Sequence, residues 1–159
     1  MGARSDSSVP VPEMPRRPIP AVIAVLVRNS EVLLVRRAHR PDAGKWGFPG
    51  GKMELGESVR EAALRELREE TQVTAEACES FTTLDIFDYD EDGSLRQQFV
   101  LVAVLCRWLS GEPIAGDDAL EARWLPLSEL SLSNLPMSAD VERLARQAQR
   151  LIAFMQRQP

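Results

Sequence analysis

Apolar residues recur along this chain with two different periods. Ala21–Val27 and Val32–Arg36 are dense in Val, Ile and Leu and are separated by Arg28-Asn29-Ser30-Glu31, which predicts two strands joined as a hairpin. Phe81–Asp88 and Gln97–Leu109 read as a second pair of strands, linked by the turn-rich Tyr89-Asp90-Glu91-Asp92-Gly93-Ser94. A shorter strand is predicted at Glu121–Leu125. Beyond it the period lengthens. Val141, Leu144, Ala148, Leu151, Ile152 and Met155 recur at helical spacing, with Ser138 or Asp140 placed to cap the helix. Ser58-Val59-Arg60-Glu61 is a capping box that starts another helix. The expected class is α/β with a central sheet.

Before the first strand the pattern is absent. The first twenty residues hold Pro10, Pro12, Pro15, Pro18 and Pro20, preceded by Ser5, Ser7 and Ser8, so residues 1–19 read as a disordered Pro-rich arm. Arg16 and Arg17 are not followed by a signal-peptide core. Residues 20–157 read as one domain, since 159 residues with 44% hydrophobic content can bury a full core. No apolar run approaches the ~20 residues of a membrane span.

The formal net charge of −5 argues against electrostatic capture of nucleic acid or acidic membranes. Cys78 and Cys106 lack metal or redox spacing and read as free thiols in a reducing cytoplasm. With one histidine, His39, a multi-histidine zinc site is excluded. His39 reads as a surface residue.

The candidate chemistry lies between Gly51 and Val73. At about 100° per residue, Glu66, Glu69 and Glu70 share an arc of roughly 100° on one helix face. At about 5 Å and an effective dielectric near 20, each like-charged pair costs roughly 3 kcal/mol. Arg65, four residues before Glu69, is the only cation well placed on that face. Mg²⁺ or Mn²⁺ would complete the neutralisation, because hard cations take carboxylate oxygens and finish their coordination on substrate phosphates. Without a cation, one or more carboxylate pKa values should rise. Upstream, Gly44-Lys45-Trp46-Gly47-Phe48-Pro49-Gly50-Gly51 is a glycine-rich turn able to approach whatever the helix binds.

The run of Gly51, Glu57, Arg65, Glu66, Glu69 and Glu70 resembles the signature of the Nudix hydrolases. One position departs: Gln72 stands where the family has glycine, so a residue with a Cβ is expected in left-handed geometry, at roughly 1 kcal/mol. The resemblance implies a Nudix α/β/α sandwich from about Pro20 to the last helix. It implies Glu66, Glu69 and Glu70 as metal ligands, the carbonyl of Gly51 beside them, and Glu57 contributing through water. Arg65 is expected to orient the glutamates through charge-assisted hydrogen bonds. For the general base the resemblance leaves two places open, Glu66 of the box and an acid of the segment holding Asp118 and Glu121.

Arg36 and Arg37 end a strand from which a guanidinium could fork onto phosphate. Phe87, with Tyr89, is a candidate platform for a base, whereas Trp46 and Phe48 are expected to pack the loop onto the sheet. The overall run resembles short bacterial-type ADP-ribose pyrophosphatases, which implies cleavage of ADP-ribose to AMP and ribose 5-phosphate. Two other readings stand beside it: hydrolysis of normal or oxidised nucleoside triphosphates, and a nucleotide-sensing domain without turnover, which the intact glutamates disfavour. A small nucleotide is the expected partner, and related enzymes often form homodimers.

Overall fold

Strand β1 (Ile19–Arg28) runs through the middle of the molecule, and its alternating side chains define two cores. Val22, Ala24 and Leu26 pack with Ala62, Ala63 and Leu67 of helix α1 (Val59–Thr71). Ile23, Val25 and Val27 face the other way, onto Val141, Leu144, Ala145 and Ala148 of helix α2 (Val141–Gln156). Because successive strand residues point to opposite faces, one continuous apolar strand serves both helices. The result is an α/β/α sandwich.

The computed structural model describes residues 2, 9–12 and 15–159. Residues 1, 3–8, 13 and 14 of the expected arm lie outside the described residues. Residues 9–12 and 15–18 carry no regular secondary structure, and Ile19, assigned to the arm from sequence, already pairs with Phe99 in the sheet.

β2 (Glu31–Arg37) returns from β1 through Asn29 and Ser30, whose φ values of 48° and 64° suit a tight hairpin turn. Two short strands, β3 (Trp46–Gly47) and β4 (Gly50–Lys52), follow where the sequence reads only as a glycine-rich turn. β5 (Thr74–Tyr89) and β6 (Leu95–Ser110) form a long antiparallel hairpin, and β7 (Ala119–Pro126) pairs with β2. The sheet path is β3-β2-β1-β6-β5, with β4 on β1 and β7 on β2. Among the pairings of these strands β1–β6 is parallel and the others antiparallel, so the sheet is mixed.

β5 begins seven residues earlier than its expected start at Phe81. Register shifts at Thr74/Ala75, Ala77/Glu79 and Ser80/Thr82 displace the alternation of side chains there, so a period-2 pattern is not visible in the sequence. The capping of α2 also differs from expectation. Asp140 occupies the N-cap position with φ 67° and makes no side-chain cap; its carboxylate instead accepts from Arg143 Nε at 3.1 Å. Ser138 Oγ is buried without a partner. Among the described residues no helix is long and apolar enough to cross a membrane.

Gln72 closes α1 at φ 60° and ψ 13°, its amide donating to the Arg68 carbonyl at 2.9 Å. Gln72→Gly should therefore be neutral or stabilising by up to about 1 kcal/mol in chemical denaturation. A clear loss of stability would show a side-chain contact that offsets the strained backbone.

Candidate active site

Helix α1 is aimed by its first turn. Ser58 Oγ accepts from the Glu61 amide at 3.1 Å while Glu61 Oε2 accepts from the Ser58 amide at 2.8 Å, the reciprocal bonds of a capping box. That start turns Arg65, Glu66, Glu69 and Glu70 toward β4. The approach there is close enough to require glycine. A Cβ on Gly51 would lie 2.6 Å from Glu66 Oε1, and one on Gly50 would run into the Val22 carbonyl. The Gly50 amide donates to Glu70 Oε2 at 3.1 Å.

A single guanidinium organises three of the carboxylates. Arg65 donates to both oxygens of Glu57 at 2.9 and 2.7 Å, to Glu66 Oε1 at 2.8 Å and to Glu69 Oε2 at 3.2 Å, with the Lys52 carbonyl at 3.1 Å. Arg65 thus neutralises more of the acidic face than its spacing to Glu69 alone suggested. Hydrogen bonds from Arg65, and then from the Glu54 amide, hold Glu57 down at about 2. With both oxygens engaged, Glu57 anchors Arg65, and it is not among the residues lining the cavity described below.

Glu66, despite Arg65, and Glu70 are less fully compensated than Glu57. Burial raises Glu66 above the ordinary range, against the pull of Arg65. Burial, followed by repulsion from Glu66, lifts Glu70 to about 8; the Gly50 amide and Arg37 oppose this only partly. Among the described residues no three His, Cys, Asp or Glu side chains converge as a ready-made chelate. In donor chemistry the set still suits a hard divalent cation: all-oxygen ligands, excess negative charge, and backbone packed against the carboxylates. Glu70, half-buried and without an ion-pair partner among the described residues, is the group most in need of one.

These residues form one end of a cavity of about 650 Å³. Arg37, Arg40 and Asp118 stand around it, and Leu84, Ile86, Phe99 and Leu101 supply an apolar wall. Of the two strand-end arginines, Arg37 lines the cavity. Arg36 lies outside it, donating to the Gly44 carbonyl at 3.3 Å and pairing with Glu121 at 3.5 Å. Glu121 is half exposed and pairs with Arg36, and of the two distant acids Asp118 lines the cavity while Glu121 does not. Asp118 Oδ1 lies 3.2 Å from His39 Nε2, and both side chains are exposed. Trp46 and Phe48 are buried in the core as expected.

Phe87 is placed away from the cavity. Leu84 and Ile86 face it, so strand alternation puts Phe87 on the opposite side of β5, where it is 48% exposed. The parity of β5 was the available signal for the apolar wall. Arg40 carries no such signal: it spans from the cavity rim to Asp88 at 3.4 Å and the Tyr89 carbonyl at 3.2 Å, a contact between a loop and the distant end of β5 that no local pattern marks.

A family model described as NUDIX domain matches residues 17–147. The chain belongs to the Nudix family. ADP-ribose pyrophosphatase of Methanocaldococcus jannaschii is 32% identical over 113 residues, covering 71% of this chain and 64% of that protein, slightly under two thirds of its length. The 8-oxo-dGTP diphosphatase of Escherichia coli is 34% identical over 118 residues, 73% of this chain and 85% of that one. Among solved structures, the NUDIX domain of Shewanella oneidensis NrtR complexed with ADP ribose superposes with a TM-score of 0.67 at 27% identity, over 89% of this chain and 93% of that chain. The matched range includes the acidic helix face and the paired glycines.

In the metal-free Nudix fold, Glu70 holds its proton more tightly than in the unfolded chain, where its value is ordinary, near 4.5. The folded state then binds more protons, so the contribution to stability is complete below about pH 4.5 and is lost as pH rises through about 8. Urea denaturation in chelator should show unfolding free energy falling across that window, and Glu70→Gln should flatten the fall. An equally steep profile in the variant would locate the titration elsewhere.

Proposed function

We propose that this Nudix protein hydrolyses the pyrophosphate bond of a nucleoside diphosphate joined to a second moiety, with ADP-ribose cleaved to AMP and ribose 5-phosphate. The observation that carries the reading is the meeting of under-neutralised Glu66 and Glu70 with Gly50 and Gly51 at one end of a cavity whose opposite wall is apolar. One end suits phosphate and cation, the other a base or sugar. The ADP-ribose pyrophosphatase of Methanocaldococcus and the ADP ribose held by the Shewanella domain support the same substrate class.

Glu66, Glu69 and Glu70, with the carbonyl of Gly51, would hold Mg²⁺ or Mn²⁺. When bound, such an ion polarises phosphate oxygens and lowers the pKa of coordinated water. The chain's own residues do the rest. Arg65 fixes the orientation of Glu66 and Glu69 through its fork of donors. Arg37, on the cavity wall beside Glu70, offers a cation to a phosphate oxygen. Glu66 or Asp118 takes the proton from the attacking water, and Glu121 is set aside by its position. Free Cys78 and Cys106 suit a reducing compartment, and the cytoplasm is the proposed location.

A second reading, pyrophosphohydrolysis of normal or oxidised nucleoside triphosphates, is favoured by the Escherichia coli relative. Product analysis over ADP-ribose, NADH, diadenosine polyphosphates, dGTP and 8-oxo-dGTP, with Mg²⁺ and with chelator, separates the two. ADP-ribose should give AMP at the highest kcat/KM and chelator should abolish turnover. A preference for 8-oxo-dGTP would replace the substrate, and binding without cleavage of any compound would make the protein a sensor.

Glu69→Gln should lower kcat by about a hundredfold or more with the fold intact. Near-normal turnover would remove Glu69 from the metal-binding set.

A further inference from the structure

Outside the cavity, the most elaborate polar arrangement in the molecule surrounds Arg28 at the end of β1. Its guanidinium lies between two indole rings, 4.1 Å from the centroid of Trp124 and 4.7 Å from that of Trp108. It also donates to Glu112 at 2.8 Å. Both indoles are tied to the same stretch of chain: Trp108 Nε1 donates to the Gly111 carbonyl at 2.9 Å and Trp124 Nε1 to Glu112 Oε2 at 3.2 Å. Arg28 is largely buried while Glu112 is exposed, so the stacked cation is the fixed point and the loop is what it holds.

From Glu112 the chain runs along the end of α1. The Ile114 amide donates to the Thr71 carbonyl at 2.9 Å and the Gly116 amide to the Glu70 carbonyl at 3.0 Å, satisfying two carbonyls that the helix leaves open. The fit is tight, since a Cβ on Gly116 would stand 2.6 Å from the Glu69 carbonyl oxygen. The chain then passes Asp117, at a positive φ of 48°, and delivers Asp118 to the cavity, where the Asp118 carbonyl accepts from the Ala38 amide at 3.0 Å.

We propose that Arg28, Trp108, Trp124 and Glu112 are positioning residues: together they clamp the 111–118 segment against the last turn of α1 and so set Asp118 relative to Glu69 and Glu70. This rests on the hydrolase reading above for its catalytic consequence, but not for its geometry. Arg is suited to the position because its planar cation can stack on both rings and donate in plane to a carboxylate. A lysine at the same place would keep the charge and lose the fork.

His39 supplies a reporter independent of turnover. It is the only histidine in the chain, and it contacts Asp118. In full-length protein, at a temperature where all variants are folded, Glu112→Ala and Arg28→Leu should move the His39 ring NMR signals toward those of Asp118→Asn. Both should lower kcat about tenfold with KM within twofold, Arg28→Lys should not restore it, and neither should add to the loss in an Asp118→Asn background. Unchanged His39 signals, or losses that multiply with Asp118→Asn, would overturn the clamp in favour of simple stabilisation. A wild-type protein that cleaves no compound would strike the hydrolase reading, while the His39 signals would still decide whether the clamp holds Asp118.

Discussion

Carboxylates crowded against backbone in a poorly hydrated place have three ways to persist: an ion pair, a hydrogen bond from an amide, or a proton. The end of the cavity uses all three. Arg65 supplies the first to Glu57, Glu66 and Glu69, the Gly50 amide supplies the second to Glu70, and the high pKa of Glu70 is the third. A charge pattern of this kind is held under electrostatic stress by the surrounding fold. The stress is greatest at Glu70, where the nearest helpful cation, Arg37, acts without an ion pair.

The surrounding elements serve to keep that arrangement in register. The capping box fixes where α1 begins, Gln72 fixes where it ends, and the 111–116 segment satisfies carbonyls of its last turn. Glycines at 50 and 116 permit close approaches to the backbone carbonyls of Val22 and Glu69, and Gly51 leaves room for the Glu66 carboxylate. Below the helix, Ala62, Ala63 and Leu67 seat it on β1 through small and branched side chains that allow close packing. Displacing the helix would therefore disturb the core and the carboxylates together.

The opposite face of the sheet contributes differently. α2 closes the second core through Val141, Leu144, Ala145 and Ala148, and the first and second of these also line the cavity. The cavity consequently joins a charged end built on α1 to an apolar region shared by α2 and the β5–β6 hairpin. A ligand with a diphosphate and a flat apolar group matches both ends, which is the chemical sense of a nucleoside diphosphate derivative.

Much of this was readable along the chain because the signals are local. The β1–β2 hairpin, the capping box, the helical period of α2, the burial of Trp46 and Phe48, and the left-handed Gln72 each depend on residues within a few positions of one another. The glutamate face of α1 was equally local, since helical geometry alone brings positions 66, 69 and 70 together. Tertiary structure decided the rest. Bulges hid the first half of β5, strand parity turned Phe87 outward and Ile86 inward, and adjacent arginines diverged so that Arg37 entered the cavity while Arg36 paired with Glu121. The placement of Asp118 at the cavity with Glu121 outside it, and the burial that lifts Glu70, arise from contacts between segments tens of residues apart. Periodicity carries no information about such contacts, because they are set by how the layers stack rather than by the turn of any one element.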